Sequence, residues 1–132
     1  MIKGISHITF IVRDLNRSAQ FFQKIFDAKE VYSRGDTVKY LLINNLWIAL
    51  NQGEPLPQRS YNHIAFQVDK DDIESYITKI KQAGAQIKPD RPNRKSDEGQ
   101  SIYFYDFDNH LFELHTGTLP QRLAAYKKEE TT

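Results

Sequence analysis

Residues 100–115 read Gln-Ser-Ile-Tyr-Phe-Tyr-Asp-Phe-Asp-Asn-His-Leu-Phe-Glu-Leu-His, and this stretch decides the prediction of the fold. Residues 101–106 are rich in aromatic and β-branched side chains, residues 108–109 (Asp-Asn) are typical of a two-residue turn, and residues 110–115 return as a second strand. Side chains alternate along a strand, which separates Leu111, Glu113 and His115 from His110, Phe112 and Leu114. A carboxylate in so apolar a strand is costly, so we expect Glu113 to have a positive partner.

The rest of the chain repeats one order of elements twice. The first half predicts strands at residues 6–12, 29–32, 38–43 and 46–50, with a helix from an Asp14 N-cap to about Phe26 after the first strand. The second half predicts strands at residues 61–68 and 85–88 around a helix at residues 69–83 that Gly84 ends, followed by the opening hairpin. His7 and His63 begin matching strands, and residues 45–50 align with residues 109–114. Such a repeat is a stronger fold signal than any single element.

Two β-α-β-β-β modules predict an α+β fold of paired, curved mixed sheets, with a cleft that favours a small-molecule site. The 132 residues suffice for one domain with a core. Module one is assigned to residues 1–52, a Gly- and Pro-containing linker to 53–60, module two to 61–119 and a C-terminal tail to 120–132. Residues 127–132 are predicted to be a frayed polar end.

Composition excludes several classes of function. The net charge of +1 gives no reason to expect nucleic acid or an anionic membrane as a partner. The chain has no cysteine, which rules out disulfides, thiolate metal ligands and a cysteine nucleophile. The start of the chain lacks an apolar leader and no apolar run approaches membrane-spanning length, so we expect a cytoplasmic location.

His7, His63 and Glu113 are the candidate metal ligands. Two imidazoles and one carboxylate suit a divalent metal with open coordination positions, which indicates a catalytic site rather than a structural one. The module-one counterpart of Glu113 is Ala49, so the repeat predicts one such site per chain. A lone histidine at a strand start is more often structural, but the matched pair and the intra-strand glutamate favour metal binding. His115 shares the face of Glu113 and could support the ligands, although a structural role is favoured.

Other polar residues could meet in the same cleft. Thr9 shares the strand face of His7 and can donate to a substrate oxygen, although threonine in a strand is often only a good β-former. The cations Arg91, Arg94, Lys95 and Arg122 suit a phosphonate or phosphate, while a solvated charged loop explains most of them more simply. Asp97, Glu98 and Gly99 offer oxygen ligands for a second, hard cation.

The chain resembles the vicinal-oxygen-chelate (glyoxalase-fold) superfamily and, within it, the fosfomycin-resistance proteins. The segments that carry the resemblance are residues 4–9, 46–50, 61–66 and 101–119, followed by Arg122. The resemblance implies a homodimer in which His7 comes from one subunit and His63 and Glu113 from the other. It also implies Mn²⁺ as the cofactor, acting as a Lewis acid on the oxirane oxygen of fosfomycin while a ring carbon is attacked.

The resemblance further implies the roles of individual residues. Thr9 is the expected catalytic residue, hydrogen-bonded to the oxirane oxygen. The implied substrate-binding residues are Trp47 as a wall, and Tyr61, Arg94, Lys95, Ser101, Tyr103 and Arg122 as polar contacts. In related transferases a K⁺ ion occupies the loop that corresponds here to residues 97–101, so K⁺ is a possible second cofactor.

The nucleophile divides the family into branches that use water, glutathione, or bacillithiol and cysteine. The hairpin is most similar to the water-using FosX-type branch, with the glutathione-using FosA-type transferases next. The FosX-type branch carries a glutamate base about nine residues before the matching tryptophan, and the ninth residue before Trp47 is Val38. Neither Asp36 nor Glu54 is an obvious substitute, and losing a general base costs roughly 10²–10⁴-fold in rate. Thiol transfer, a sequestering module without turnover, and another reaction of the superfamily on a phosphonate or diol therefore stay open.

Overall fold

The computed structural model describes residues 1–90 and 98–130, and it contains two four-stranded mixed sheets. The first sheet has the order β1-β4-β3-β2, with β1 at His7–Val12, β2 at Lys29–Arg34, β3 at Val38–Ile43 and β4 at Leu46–Gln52. The second has the order β5-β8-β7-β6, with β5 at His63–Gln67, β6 at Gln86–Lys88, β7 at Ser101–Tyr105 and β8 at Leu111–His115. The predicted α+β fold of two β-α-β-β-β modules is confirmed.

Among the described residues, two helices connect the first and second strands of the modules, and a third follows the second sheet. Helix α1 spans Leu15–Phe26 and is capped by the Asp14 side chain, which accepts from the Arg17 amide at 3.1 Å. A single 3-10 turn precedes α2 (Ile73–Gln82), and Gly84 follows it at a φ of 76°, as the predicted stop requires. No helix within residues 1–90 and 98–130 combines the length and apolar character needed to cross a bilayer.

Two local predictions were wrong. Helix α3 runs over Leu119–Glu130, because its Ala, Lys and Glu residues are good helix formers, so the frayed end does not begin at residue 127. The β7–β8 connection is longer than two residues, because the Asp106 carboxylate accepts from the amides of Asp108 and His110 at 2.9 and 2.8 Å. This local capping ends β7 early, and Asn109 closes the turn at a φ of 70°.

The two modules share one strand register. In the first sheet the parallel pair β1–β4 sets His7 opposite Trp47 and Thr9 opposite Ala49. In the second sheet β5–β8 sets His63 opposite Leu111 and Ala65 opposite Glu113. Ala49 and Glu113 are therefore structural counterparts, as the sequence alignment predicts.

One hydrophobic core spans both modules. Residues of α1, α2 and both sheets form a single buried cluster that includes Phe22, Ile48, Ile80, Phe104 and Phe112. Each sheet packs one face against this core and leaves the other, here called its open face, turned away from α1 and α2. The alternation is clear in β1, where Ile8 and Phe10 pack on the core while His7 and Thr9 are exposed. The predicted site residues of the strands therefore lie on open faces.

Candidate metal centre

His63 and Glu113 meet on the open face of the second sheet. Because β5 pairs with β8, His63 at the start of β5 lies beside Glu113 in the middle of β8. The His63 Nε2 atom is 2.9 Å from Glu113 Oε1, and Glu113 is only 4% exposed. The other carboxylate oxygen, Oε2, accepts a hydrogen bond of 2.6 Å from the Ser101 hydroxyl. The buried carboxylate thus accepts a hydrogen bond from a hydroxyl and lies against an imidazole, so it is not left among apolar side chains alone.

The backbone fixes which nitrogen of His63 carries a proton. His63 Nδ1 lies 2.6 Å from the carbonyl oxygen of Tyr61, which can only accept. Nδ1 therefore donates, and in the neutral ring the lone pair of Nε2 points towards Glu113. Metal-binding histidines usually donate their second nitrogen to a carbonyl or carboxylate in this way.

The pair fits a divalent metal. Imidazole nitrogens and carboxylate oxygens bind divalent ions at about 2.0–2.2 Å, so two such atoms about 3 Å apart can share one ion. The 2.9 Å between His63 Nε2 and Glu113 Oε1 matches that separation. An imidazole nitrogen and a carboxylate oxygen side by side are also a donor set that binds divalent cations.

Two tyrosines border this pair. The hydroxyls of Tyr61 and Tyr103 are 3.0 Å apart, and both rings lie close to the imidazole of His63. Burial raises the pKa of the Tyr103 hydroxyl far above its usual value, and its hydrogen bond with Tyr61 and the charge of Glu113 raise it further. Tyr103 therefore stays protonated and keeps a hydroxyl that can donate.

The other predicted strand residues lie on the first sheet. The ring of His7 stacks on Trp47 with centroids 4.0 Å apart, and Tyr40 and then Tyr32 continue this row of rings across the sheet. The Trp47 indole N–H is buried without an acceptor in the part of the chain that the structure describes. Thr9 is exposed beside this row.

Within one chain, the predicted ligands do not come together. Among residues 1–90 and 98–130, no three histidines and carboxylates are grouped closely enough to hold a metal. His63 and Glu113 meet, whereas His7 lies with Trp47 on the first sheet. One chain thus supplies two of the predicted ligands in one place and the third in another.

The structure describes only part of the polar loop of residues 89–100. Arg91, Arg94, Lys95 and Asp97 lie outside the described residues. Glu98 is buried, and Gly99 adopts a φ of 90°. The guanidinium of Arg122 reaches the second sheet, where its Nη2 atom lies 3.3 Å from His115 Nε2.

In the described part of the chain, neither of two sizeable cavities marks a complete site. A surface cleft of 520 Å³ at the start of α1 contains none of the predicted site residues. A cavity of 460 Å³ between β1 and β5 touches His63, but its walls are largely apolar, with Ile8, Phe10 and Leu56 among them. Such walls do not suit a phosphonate, so the candidate site is the open-face cluster around Glu113.

Comparison with known proteins identifies the family. The sequence profile of the glyoxalase/bleomycin resistance protein/dioxygenase superfamily matches residues 4–114. The fosfomycin resistance protein FosX of Listeria innocua is 53% identical over 97% of this chain and 100% of its own. The chain belongs to the fosfomycin resistance proteins of the glyoxalase superfamily. The predicted resemblance is confirmed.

Solved structures of this family carry the same fold. A crystal structure of a mutant of FosX from Listeria monocytogenes, with Mn(II) and 1S,2S-dihydroxypropylphosphonic acid, is 56% identical and has a TM-score of 0.90. It covers 96% of this chain and 99% of that one. The metallothiol transferase FosB of a Staphylococcus epidermidis strain is 42% identical over 98% of this chain and 93% of its own. This fosfomycin resistance protein is thus more similar to FosX than to that FosB.

The contact between Ser101 and His115 is one that the sequence analysis does not predict. Ser101 lies opposite His115 in the β7–β8 ladder, and its Oγ atom is 2.7 Å from His115 Nδ1. Alternation along β8 already puts His115 on the same face as Glu113. Only the register between β7 and β8 shows that Ser101 connects His115 to Glu113. His110, excluded by the same alternation, bonds instead to the Asp106 carboxylate at 2.7 Å.

Proposed function

We propose that this chain is a metal-dependent enzyme that inactivates fosfomycin by opening its oxirane ring, with water as the nucleophile. The observation that carries the proposal is the contact of His63 with the buried carboxylate of Glu113, in a chain 53% identical to a FosX protein. FosX from Listeria monocytogenes has been crystallised with Mn(II) and a dihydroxypropylphosphonic acid, which is the diol expected from adding water to the oxirane. Mn²⁺ is accordingly the proposed metal, and K⁺ in the loop of residues 97–101 stays a prediction, as does the cytoplasmic location.

The proposed site combines two copies of the chain. His63 and Glu113 would hold the metal from the second sheet of one copy, and His7 from the first sheet of the other. Three features support this arrangement: His7 and Thr9 are exposed on an open face, His63 is exposed on another, and the three ligands are not grouped within the described part of one chain. A symmetric dimer that sets the first sheet of each copy against the second sheet of the other would complete two equal sites.

The chain's own residues would bind and orient the substrate. The Thr9 hydroxyl can donate to the oxirane oxygen, and the protonated Tyr103 hydroxyl can donate to a phosphonate oxygen. The guanidinium of Arg122 suits the phosphonate charge, with Arg94 or Lys95 as the predicted second cation. The Trp47 ring would form a wall of the pocket, and Tyr61 and Ser101 hold Tyr103 and Glu113 in place. A bound divalent metal would supply Lewis-acid polarisation of the oxirane oxygen.

Thiol transfer is the second candidate. Val38 begins β3 and stands where the resemblance expects the base of the water-using branch, and a valine cannot accept a proton. Asp36 belongs to the β2–β3 turn and lines the cleft at the start of α1. A thiol that ionises by itself needs the protein base less than water does, which favours transfer on this one point.

Product analysis separates the two candidates. Purified protein with Mn²⁺ and fosfomycin is followed by ³¹P NMR, alone and with glutathione, cysteine or bacillithiol. A diol without thiol supports hydration, whereas an adduct formed only with thiol supports transfer. Glu113→Gln, which keeps the shape of the side chain, should abolish product. Unchanged fosfomycin under every condition would refute the proposed function.

A further inference from the structure

A continuous line of hydrogen bonds connects Arg122 to Glu113. Arg122 Nη2 lies 3.3 Å from His115 Nε2, His115 Nδ1 lies 2.7 Å from Ser101 Oγ, and Ser101 Oγ lies 2.6 Å from Glu113 Oε2. The strand register makes this possible, because Ser101 stands opposite His115 and next to Glu113 across the β7–β8 ladder. The line ends on the carboxylate whose other oxygen faces His63.

The direction of every bond in the line is fixed by chemistry. A guanidinium can only donate, so His115 Nε2 accepts from Arg122. The neutral ring then carries its proton on Nδ1, which donates to the Ser101 oxygen. The single hydroxyl proton of Ser101 is left for Glu113, and 2.6 Å is a typical length for a hydroxyl donating to an ionised carboxylate.

The ring of His115 sits in a slot that two glycines form. A Cβ atom on Gly117 would stand 2.8 Å from His115 Nε2, and one on Gly99 would stand 3.2 Å from His115 Cε1. Gly99 also adopts a φ of 90°, which side chains other than glycine rarely accept. The close backbone approach leaves the imidazole little freedom to turn, so its nitrogens stay directed at Ser101 and Arg122.

We propose that His115 is a positioning residue for the metal site. Its Nε2 atom accepts a hydrogen bond from Arg122 and its Nδ1 atom donates one to Ser101, and Ser101 in turn holds the Glu113 carboxylate with Oε1 directed at His63. The inference rests on the proposed metal role of His63 and Glu113. Both nitrogens of His115 are engaged in the line, so His115 itself is not a ligand.

Metal affinity tests this role without relying on activity. Mn²⁺ binding is measured from the electron paramagnetic resonance of the free ion for wild type, His115→Leu, His115→Asn and His110→Leu. His115→Leu should weaken binding roughly 10-fold or more, the usual effect of removing a group that orients a ligand. His115→Asn keeps an N–H near the position of Nδ1 and should restore most of the affinity. His110→Leu removes an imidazole bonded to a different buried carboxylate and should leave Mn²⁺ affinity unchanged.

The outcomes distinguish a failure of the proposed metal site from a failure of the positioning role of His115. Wild-type protein that binds no Mn²⁺ would overturn the metal site and the positioning role together. Wild-type affinity in His115→Leu would overturn the positioning role alone. If that variant does not fold, ¹⁵N spectra of the imidazoles in metal-free wild type show which nitrogen of His115 carries the proton. The signal that is absent from the spectrum of His115→Asn identifies the His115 resonance. The line requires a proton on Nδ1 of His115, and a proton on Nε2 instead would refute it.

Discussion

Mixing two inactive variants tests whether the active site is shared between two copies of the chain. His7 lies on the open face of the first sheet, while His63 and Glu113 lie on that of the second. We expect His7→Ala and Glu113→Ala each to be inactive. In a mixed dimer with a shared site, one site carries both alterations and the other carries neither. Activity should therefore return when the two inactive proteins exchange subunits.

The size of the recovery follows from counting sites. Random exchange of equal amounts makes about half of all dimers mixed, and one of their two sites is intact, so about a quarter of the wild-type activity should return. Initial rates of fosfomycin loss with Mn²⁺ are followed by ³¹P NMR after joint unfolding and refolding. A matched control mixes His63→Ala with Glu113→Ala, whose alterations lie on the same sheet, and no mixed dimer of that pair has an intact site. If the His7→Ala and Glu113→Ala mixture shows no recovery although mass spectrometry detects mixed dimers, the shared site is refuted.

Three further predictions concern the metal and the fold. Chelation with EDTA should abolish fosfomycin loss and added Mn²⁺ should restore it, because the proposed reaction needs the metal, and activity that survives dialysis against EDTA would contradict this. Asp14→Ala should lower the free energy of unfolding in urea by about 1 kcal/mol, because α1 loses its N-cap, and an unchanged midpoint would show that the cap contributes nothing. Phe112→Ala should cost about 3–5 kcal/mol in the same assay, because Phe112 is fully buried among the rings of Phe22 and Phe104.

Most of the fold could be predicted because its signals are local and appear twice. Alternation along β8, helical spacing in α1 and the glycine after α2 each follow from a few neighbouring residues. The repeat then fixed the equivalence of Ala49 and Glu113, which the shared strand register confirms. The errors arose where a side chain caps the backbone, and where residues of high helix propensity extend a helix beyond its apolar pattern. Asp106 lengthened the hairpin turn, and good helix formers carried α3 to Glu130.

The site was predictable as a set of residue types but not as a network. The sequence predicts that His7, His63 and Glu113 act together, because the repeat pairs the two histidines and a glutamate is unusual in an apolar strand. It does not show that the Tyr61 carbonyl fixes the proton of His63, nor that Ser101 links Glu113 to His115. Those contacts depend on cross-strand register and on rotamers, and neither quantity is readable from spacing along the chain.

The difference between the two open faces explains why a duplicated module carries one acid rather than two. Both sheets keep the same register, but the position of Glu113 in the second sheet is Ala49 in the first. Around Ala49 the first sheet presents the rings of Tyr40 and Trp47. Glu113, in contrast, accepts a hydrogen bond from Ser101 and lies next to His63, its proposed partner in metal binding. In the proposed dimer these two faces meet, so a second carboxylate at position 49 would oppose Glu113 with a like charge and no donors of its own. The aromatic residues around Ala49 instead face a single carboxylate, Glu113, that has its own hydrogen-bond donor. Each pair of facing sheets then has one metal position, and one histidine from each module completes its ligands.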